Sequence, residues 1–253
     1  MRIIIIGSGN TATVLGKAII AAGHQVLQVA GRNRQAIDSL AVELVADSTT
    51  DLKKIRQDGE LYIIAVADDA IAMVTSQIQL GDKMVVHTAG SVSKEVLKNC
   101  SSRYGVLWPI QSLRKEMRTI PEIPFLVDAN NEENAEKLAL FALSLKGPCM
   151  IGDDEKRLRL HLAAVMVSNF TNHLYALAEE YCTKEKISFD LLHPLVAHVA
   201  ERIRENTPKK LQTGPALRHD QQTIHKHLQL LEAHPALREF YELFTKSIER
   251  MYL

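Results

Sequence analysis

The sequence predicts an α/β N-terminal domain, a doubly wound and mostly parallel sheet, followed by an all-α C-terminal domain. Three observations predict it. Short runs of branched apolar residues alternate with helix-length segments through residues 1–152. A glycine-rich turn joins the first run to the first helix. After Gly152 the strand-like runs stop and helical periodicity takes over. Strands separated by helix-length segments imply right-handed crossovers and parallel pairing. The expected domains are 1–152 and 153–253.

The first strand covers residues 2–6, where four isoleucines end at Gly7, as in a strand buried on both faces. A helix is expected over 11–22, a strand over 25–30 and a helix over 33–43. A short third strand is placed at 44–46, a fourth at 61–67 and a fifth at 84–87. Two more are placed at 104–108 and 124–128, and a helix at 132–145 closes this half. Helices are expected over 154–184, 190–206, 220–233 and 235–252. The clearest long loop of that half is 207–218, where two prolines and a glycine break the pattern.

Composition bounds the function. The 253 residues carry 30 basic and 30 acidic side chains, a formal net charge of zero. That balance gives no general electrostatic reason to expect nucleic acid or an anionic membrane as partner. The apolar run at the start is too short for a secretory signal. Residues 160–178 hold no Asp, Glu, Lys or Arg, but include His161, Ser168, Asn169, Thr171, Asn172 and His173. These would be costly in lipid, so a helix buried nearly all round is expected. Three well-separated cysteines suggest neither a disulfide framework nor zinc. No group has convincing metal-ligand spacing, and the reducing cytoplasm is the expected compartment.

Gly7-Ser8-Gly9-Asn10-Thr11-Ala12 reads G-x-G-x-x-A between the first strand and the first helix. Gly7 permits the tight turn, Gly9 lets a pyrophosphate approach the backbone, and Ala12 lets the helix pack on the sheet. The helix start then offers free N–H groups to the phosphates. This is the fingerprint of a Rossmann dinucleotide-binding domain, with Gly7, Ser8, Gly9, Asn10 and Thr11 as the cradle. An NAD-preferring site has an acid at the end of the second strand, for the ribose 2′-hydroxyl. Residues 25–37 contain none, and the chain reads Gly31-Arg32-Asn33-Arg34 instead. Arg32 and Arg34, with Asn33, are candidates to clamp a 2′-phosphate, which makes NADP(H) the expected cofactor. A solvated basic loop is the plainer alternative. Ala65, Val66 and Ala67 end the fourth strand and should border the nicotinamide-side ribose. The His87-Thr88-Ala89-Gly90-Ser91 loop should face the same cleft.

On a wheel of 100° per residue, His161, Val165, Ser168 and Asn172 share one face of the 154–184 helix, flanked by Asn169. Polar groups in a stripe on a buried helix must find partners. His161 is a candidate proton donor. Ser168, Asn169 and Asn172 are candidates to orient a substrate. Core hydrogen bonding is the alternative for all four. Ser91, Gln111 and Arg218 are further candidate substrate contacts. Asp220 is expected to be a helix N-cap.

These residues resemble a family: the NADP oxidoreductases that pair a Rossmann-like domain with an all-helical domain of uncharacterised function, DUF2520. The resemblance rests on Gly7–Leu15 with Gly16, on His87–Ser91, and on Trp108-Pro109-Ile110-Gln111-Ser112-Leu113. It extends to His161 with Ser168-Asn169, and to Thr213-Gly214-Pro215 with Arg218 and Asp220. More distantly the chain is similar to pyrroline-5-carboxylate reductase and to 6-phosphogluconate and 3-hydroxyisobutyrate dehydrogenases. The resemblance implies a C-terminal domain like that of 6-phosphogluconate dehydrogenase, often used for dimerisation. The β-hydroxyacid dehydrogenases carry a lysine, with an asparagine one turn later, where this chain has His161 and Val165. The expected function is NADP(H)-dependent hydride transfer to or from a small carbonyl or imine in an interdomain cleft, by a homodimer. The alternative is a non-catalytic NADP(H)-binding redox sensor.

Overall fold

The computed structural model describes residues 1–252. It divides into two compact units, Met1–Val167 and a second beginning at Ser168.

The first unit runs β1 (Arg2–Ile6), α1 (Asn10–Ala21), β2 (Gln25–Ala30), α2 (Arg34–Leu44), β3 (Asp47–Thr49) and β4 (Leu61–Ile64). It continues with α3 (Ile71–Thr75), β5 (Met84–His87), β6 (Arg103–Pro109), β7 (Phe125–Ala129), α4 (Glu132–Ser144), β8 (Cys149–Ile151) and α5 (Asp154–Ala164). The sheet order is β3-β2-β1-β4-β5-β6-β7-β8. Every pairing is parallel except β6 with β7. β1 lies between β2 and β4, so the strand order reverses there, and ligands of such sheets bind at that switch point.

Alternation along β1 builds both cores. Ile3 and Ile5 join the layer made with α1, α2 and α4. Ile4 and Ile6 join the layer that includes Ile71 and Val74 of α3. All four are essentially inaccessible, and each such burial contributes about 1.5–3 kcal/mol.

Five expectations shift. The fourth strand stops at Ile64, and a short helix, Pro208–Leu211, forms inside the expected 207–218 loop. The third strand is Asp47–Thr49 rather than 44–46, because Val45 adopts a left-handed conformation (φ 54°) that ends α2. β8 was not expected: three residues at a sheet edge, with Met150 and Ile151 exposed, carry no strand-length apolar signal. Residues 160–178 are also not buried all round. Leu162, Met166, Val167 and Phe170 are exposed, because neighbouring elements cover only one stripe of the 154–184 helix.

That helix is continuous through α5, a π-helical segment (Val165–Phe170) and α6 (Thr171–Lys184). The division between units falls inside the π segment. The composition change at Asp153 marks the N-cap of α5, whose Asp153 side chain accepts from Lys156 N at 2.8 Å.

The second unit adds α7 (His193–Glu205), α8 (Pro208–Leu211), α9 (Gln221–Leu230) and α10 (Pro235–Tyr252). Asp220 caps α9, accepting from Thr223 N at 3.0 Å, as expected. His234 Nε2 meets Glu185 Oε1 at 2.8 Å, and His227 Nδ1 meets the Tyr241 hydroxyl at 2.8 Å. Leu191, Leu195, Val199, Ile203, Leu243 and Met251 are exposed. No described helix is long and apolar enough to cross a membrane.

Candidate dinucleotide and substrate site

A cavity of about 610 Å³ opens at the C-terminal ends of β1, β2 and β4. Ser8, Gly9, Asn10 and Thr11 line it after β1, Arg32 and Asn33 after β2, and Ala65, Val66 and Ala67 after β4. Its floor is set by short backbone bonds: Gly7 N to Ala30 O and Ala65 N to Ile6 O, each 2.8 Å. Gly7 has φ +132°, and a Cβ on it would stand 2.1 Å from the Ala65 carbonyl oxygen. Gly9 is different, for a Cβ there would meet nothing within 4 Å. Gly9 thus faces the open space a pyrophosphate needs. It is also the N-cap of α1 and offers no side-chain acceptor to the helix start. The residues present therefore fit a dinucleotide.

The basic loop is less uniform than its sequence. Arg32 lines the cavity, is exposed, and makes no ion pair among the described residues. Arg34 lies outside the lining; it donates to Thr50 Oγ1 at 3.1 Å and pairs with Asp38 at 3.5 Å. The Asn33 side chain caps α2, accepting from Ala36 N at 3.1 Å. Thr50, Asp51, Leu52, Met73 and Gln77 also line the cavity. Sequence reasoning missed these because only the sheet order brings the residues after β3 and on α3 beside the glycine turn. Asp51 is the one added carboxylate of this lining, and it accepts from Lys53 N at 3.0 Å.

Beyond β5, the loop carrying Ser91 is held from two sides. Arg157 of α5 is 1% exposed. Its Nε donates to Gly90 O at 3.3 Å and its Nη2 to Val92 O and to Asp154 Oδ1, the last at 2.7 Å. Asp154 in turn accepts from Ser93 Oγ and, at 3.4 Å, from Lys94 N. Burial alone would raise the Asp154 carboxyl, but the Ser93 and Arg157 bonds hold it below its ordinary range. On the other side of the loop, Gly90 leaves room for His161: a Cβ would come 2.7 Å from its Cδ2 and 3.0 Å from Trp108 Nε1. The His161 and Trp108 rings meet edge-on, centroids 5.7 Å apart. Ser91 Oγ donates to Asp68 Oδ2 at 2.9 Å, across the ends of β5 and β4.

His87 closes β5 and is wholly buried. Ala89 N donates to its Nδ1 at 3.2 Å, which places the proton on Nε2, an atom with no hydrogen-bond partner among the described residues. Burial, then the Arg157 charge, push its pKa down to about 4, so the ring is neutral near pH 7.

The structure thus gathers Gly7, Ser8, Gly9, Asn10, Thr11, Arg32, Asn33, Ala65, Val66 and Ala67 at one cavity. It sets His161 against Gly90 and Trp108, beside Ser91. Gln111 spends its side chain locally, on Glu122 O at 3.3 Å and Ser112 N at 3.0 Å. Ser168, Asn169, Asn172 and Arg218 belong to the second unit. Ser168 is half-buried, while Asn169, Asn172 and Arg218 are exposed. A 100° wheel does not carry through a π segment, and the half-buried stripe continues through Thr171 and Tyr175 rather than Asn172. Sequence reasoning missed Arg157, which sits in a run of charges, Asp154 to Arg157, that reads as a solvated helix start.

Comparison with known proteins agrees with this architecture. Residues 2–90 match the family described as NADP oxidoreductase coenzyme F420-dependent, and residues 123–248 match the domain of unknown function DUF2520. No curated protein matches the chain. Among solved structures it is similar to a protein from Bacteroides fragilis proposed to be an NADP oxidoreductase. The two are 38% identical over 98% of each chain, with a TM-score of 0.89. A pyrroline-5-carboxylate reductase from Coxiella burnetii is 18% identical over 99% of this chain and 96% of its own, TM-score 0.60. An imine reductase from Myxococcus stipitatus, solved with NADP+, is 17% identical over 99% and 93%, TM-score 0.64. The last two share the fold. With the Bacteroides fragilis likeness spanning nearly the whole of both chains, this protein belongs to the NADP oxidoreductase family that joins a Rossmann-like domain to a DUF2520 domain.

Proposed function

We propose that the protein is an NADP(H)-dependent oxidoreductase that passes hydride to or from a small carbonyl or imine compound. The observation that carries this is the cavity at the sheet's switch point, with the uncapped start of α1 and the unpaired Arg32 on its lining. Bound there, the nicotinamide supplies the hydride. Gly7 to Thr11 hold the pyrophosphate through backbone N–H groups, and Arg32 reads the 2′-phosphate with Asn33 and Arg34 beside it. Ala65 to Ala67 border the nicotinamide-side ribose.

His161 gives the proton that balances hydride addition to a carbonyl. Its ring stands against Gly90 and edge-on to Trp108, beside the Ser91 loop. Ser91, held by Asp68, is a second polar contact for the substrate. Ser168, Asn169 and Asn172 follow on the same continuous helix and are assigned to orienting the substrate, with Gln111 and Arg218 as lesser contacts. The exposed apolar side chains of α5 to α7 support a homodimer.

The test is NADPH oxidation across a panel of small ketones, aldehydes and cyclic imines, wild type against His161→Ala. Turnover that falls at least about a hundredfold in the variant, with NADPH affinity kept, supports the assignment. Equal turnover removes His161 from the chemistry. Tight NADPH binding with no turnover on any compound favours a redox sensor.

A further inference from the structure

The segment 110–124 joins the antiparallel pair β6 and β7 with no helix or strand of its own. Hairpin loops usually take about 2–5 residues, and much longer ones tend to be functional or disordered. This one is anchored. Ile110 N donates to Pro124 O at 2.7 Å, and Leu113 and Ile123 are buried in the core layer that includes α1. Midway between them, Lys115 N donates to Asn10 Oδ1 at 3.2 Å, a bond between residues 105 apart in sequence.

That bond fixes where the segment goes. Asn10 is the first residue of α1 and lines the cavity. The strap therefore delivers Arg114-Lys115 to the end of α1 where the first-turn N–H groups lack a side-chain acceptor. Arg114 approaches Glu116 at 3.9 Å, whereas Lys115 is exposed and makes no ion pair among the described residues. The Asn10 bond places the Lys115 backbone rather than its ammonium, and Lys115 itself is not on the cavity lining. Its long flexible stem can bring the charge to an anion held at the start of α1, where the helix dipole also favours negative charge.

We propose that Lys115 is a ligand of the cofactor pyrophosphate, supplied by the β6–β7 strap, with Asn10 as the latch that positions it. This rests on the reading of the cavity as a dinucleotide site. The pyrophosphate is common to NADPH and NADH, so Lys115 serves both, while Arg32 serves only the cofactor with a 2′-phosphate. A flexible ammonium suits this task, because it acts as a point charge and needs no forked geometry.

The experiment is calorimetric titration of NADPH and of NADH into wild type, Lys115→Ala, Lys115→Arg and Arg32→Ala, with the unliganded melting temperature of each recorded. Lys115→Ala should melt like wild type and bind both dinucleotides about tenfold more weakly, as loss of one charge-assisted bond predicts. Lys115→Arg should regain most of that loss, and Arg32→Ala should weaken NADPH alone. Unchanged affinity for both dinucleotides in Lys115→Ala overturns the proposal while leaving the cavity reading intact. A loss confined to NADPH overturns it too, by placing Lys115 at the 2′-phosphate. Failure of wild type to bind either dinucleotide overturns both.

Discussion

Gly7 and Gly9 stand two residues apart and do different work. At Gly7 the backbone takes φ +132° and a Cβ would meet the Ala65 carbonyl oxygen at 2.1 Å, so the residue is needed for the fold itself. At Gly9 a Cβ would enter open space, so packing within the chain does not demand a glycine there. Gly7→Ala should lower stability by on the order of 2 kcal/mol or more, seen in thermal unfolding without ligand. Gly9→Ala should unfold like wild type and lose dinucleotide affinity. A Gly9→Ala protein that binds NADPH normally would contradict the cradle. Both glycines were legible in the sequence, because the G-x-G spacing separates the tight turn from the ligand's approach. The bond from Arg34 to Thr50 was not legible, since it depends on a side chain brought from the end of β3, whereas Asp38 stands four residues on in the same helix.

His87 makes a pH prediction. Its pKa is held down to about 4 in the folded chain, against 6.5 in the unfolded chain. The unfolded state therefore binds the proton first as pH falls. Stability from this group is fully present above pH 6.5 and is lost as pH drops toward 4, by about 3 kcal/mol. His87→Asn can keep an acceptor for Ala89 N and removes the titration. Its denaturant midpoint should therefore fall less steeply than that of wild type between pH 7 and pH 4.5. Parallel curves would show that His87 does not titrate this way.

Among the elements, α5 is the one whose role changes most between sequence and structure. Its charged first turn reads as solvent-facing. In the structure Arg157 turns inward and ties α5 to the Gly90–Val92 backbone, one helical turn before His161. Arg157→Met should destabilise the chain by about 2–3 kcal/mol, because the Gly90 and Val92 carbonyls lose their buried donor, while Asp154 is partly exposed and keeps Ser93. A loss below ~1 kcal/mol would mean that the clamp is dispensable. The strands β1, β2 and β5 were legible to the residue because both faces are apolar. β8 and the π segment were not: an exposed edge strand has no pattern to read, and a π segment changes hydrogen-bond register without any change in residue type.

The whole chain carries its Rossmann signature at the N-terminus and its least settled surface in the helices. The order of the α/β and helical halves was legible, and so was the part of the cavity lining that follows β1, β2 and β4, because turn chemistry fixes it locally. The expectation that residues 160–178 are buried nearly all round failed because the sequence reports apolar residues and not what covers them. Leu162, Met166, Phe170, Leu195 and Val199 lie exposed in the single chain. Sedimentation should show a dimer at micromolar concentration, and Val199→Asp should shift it toward monomer. A wild-type monomer at high concentration would remove the dimer.

Calorimetric binding of NADPH and NADH to wild type and to Arg32→Ala tests the 2′-phosphate assignment most directly. NADPH should bind wild type more tightly than NADH and fall to the NADH value in the variant, while NADH affinity holds. Equal affinity for the two dinucleotides in wild type would contradict the 2′-phosphate assignment, and no binding of either would contradict the site.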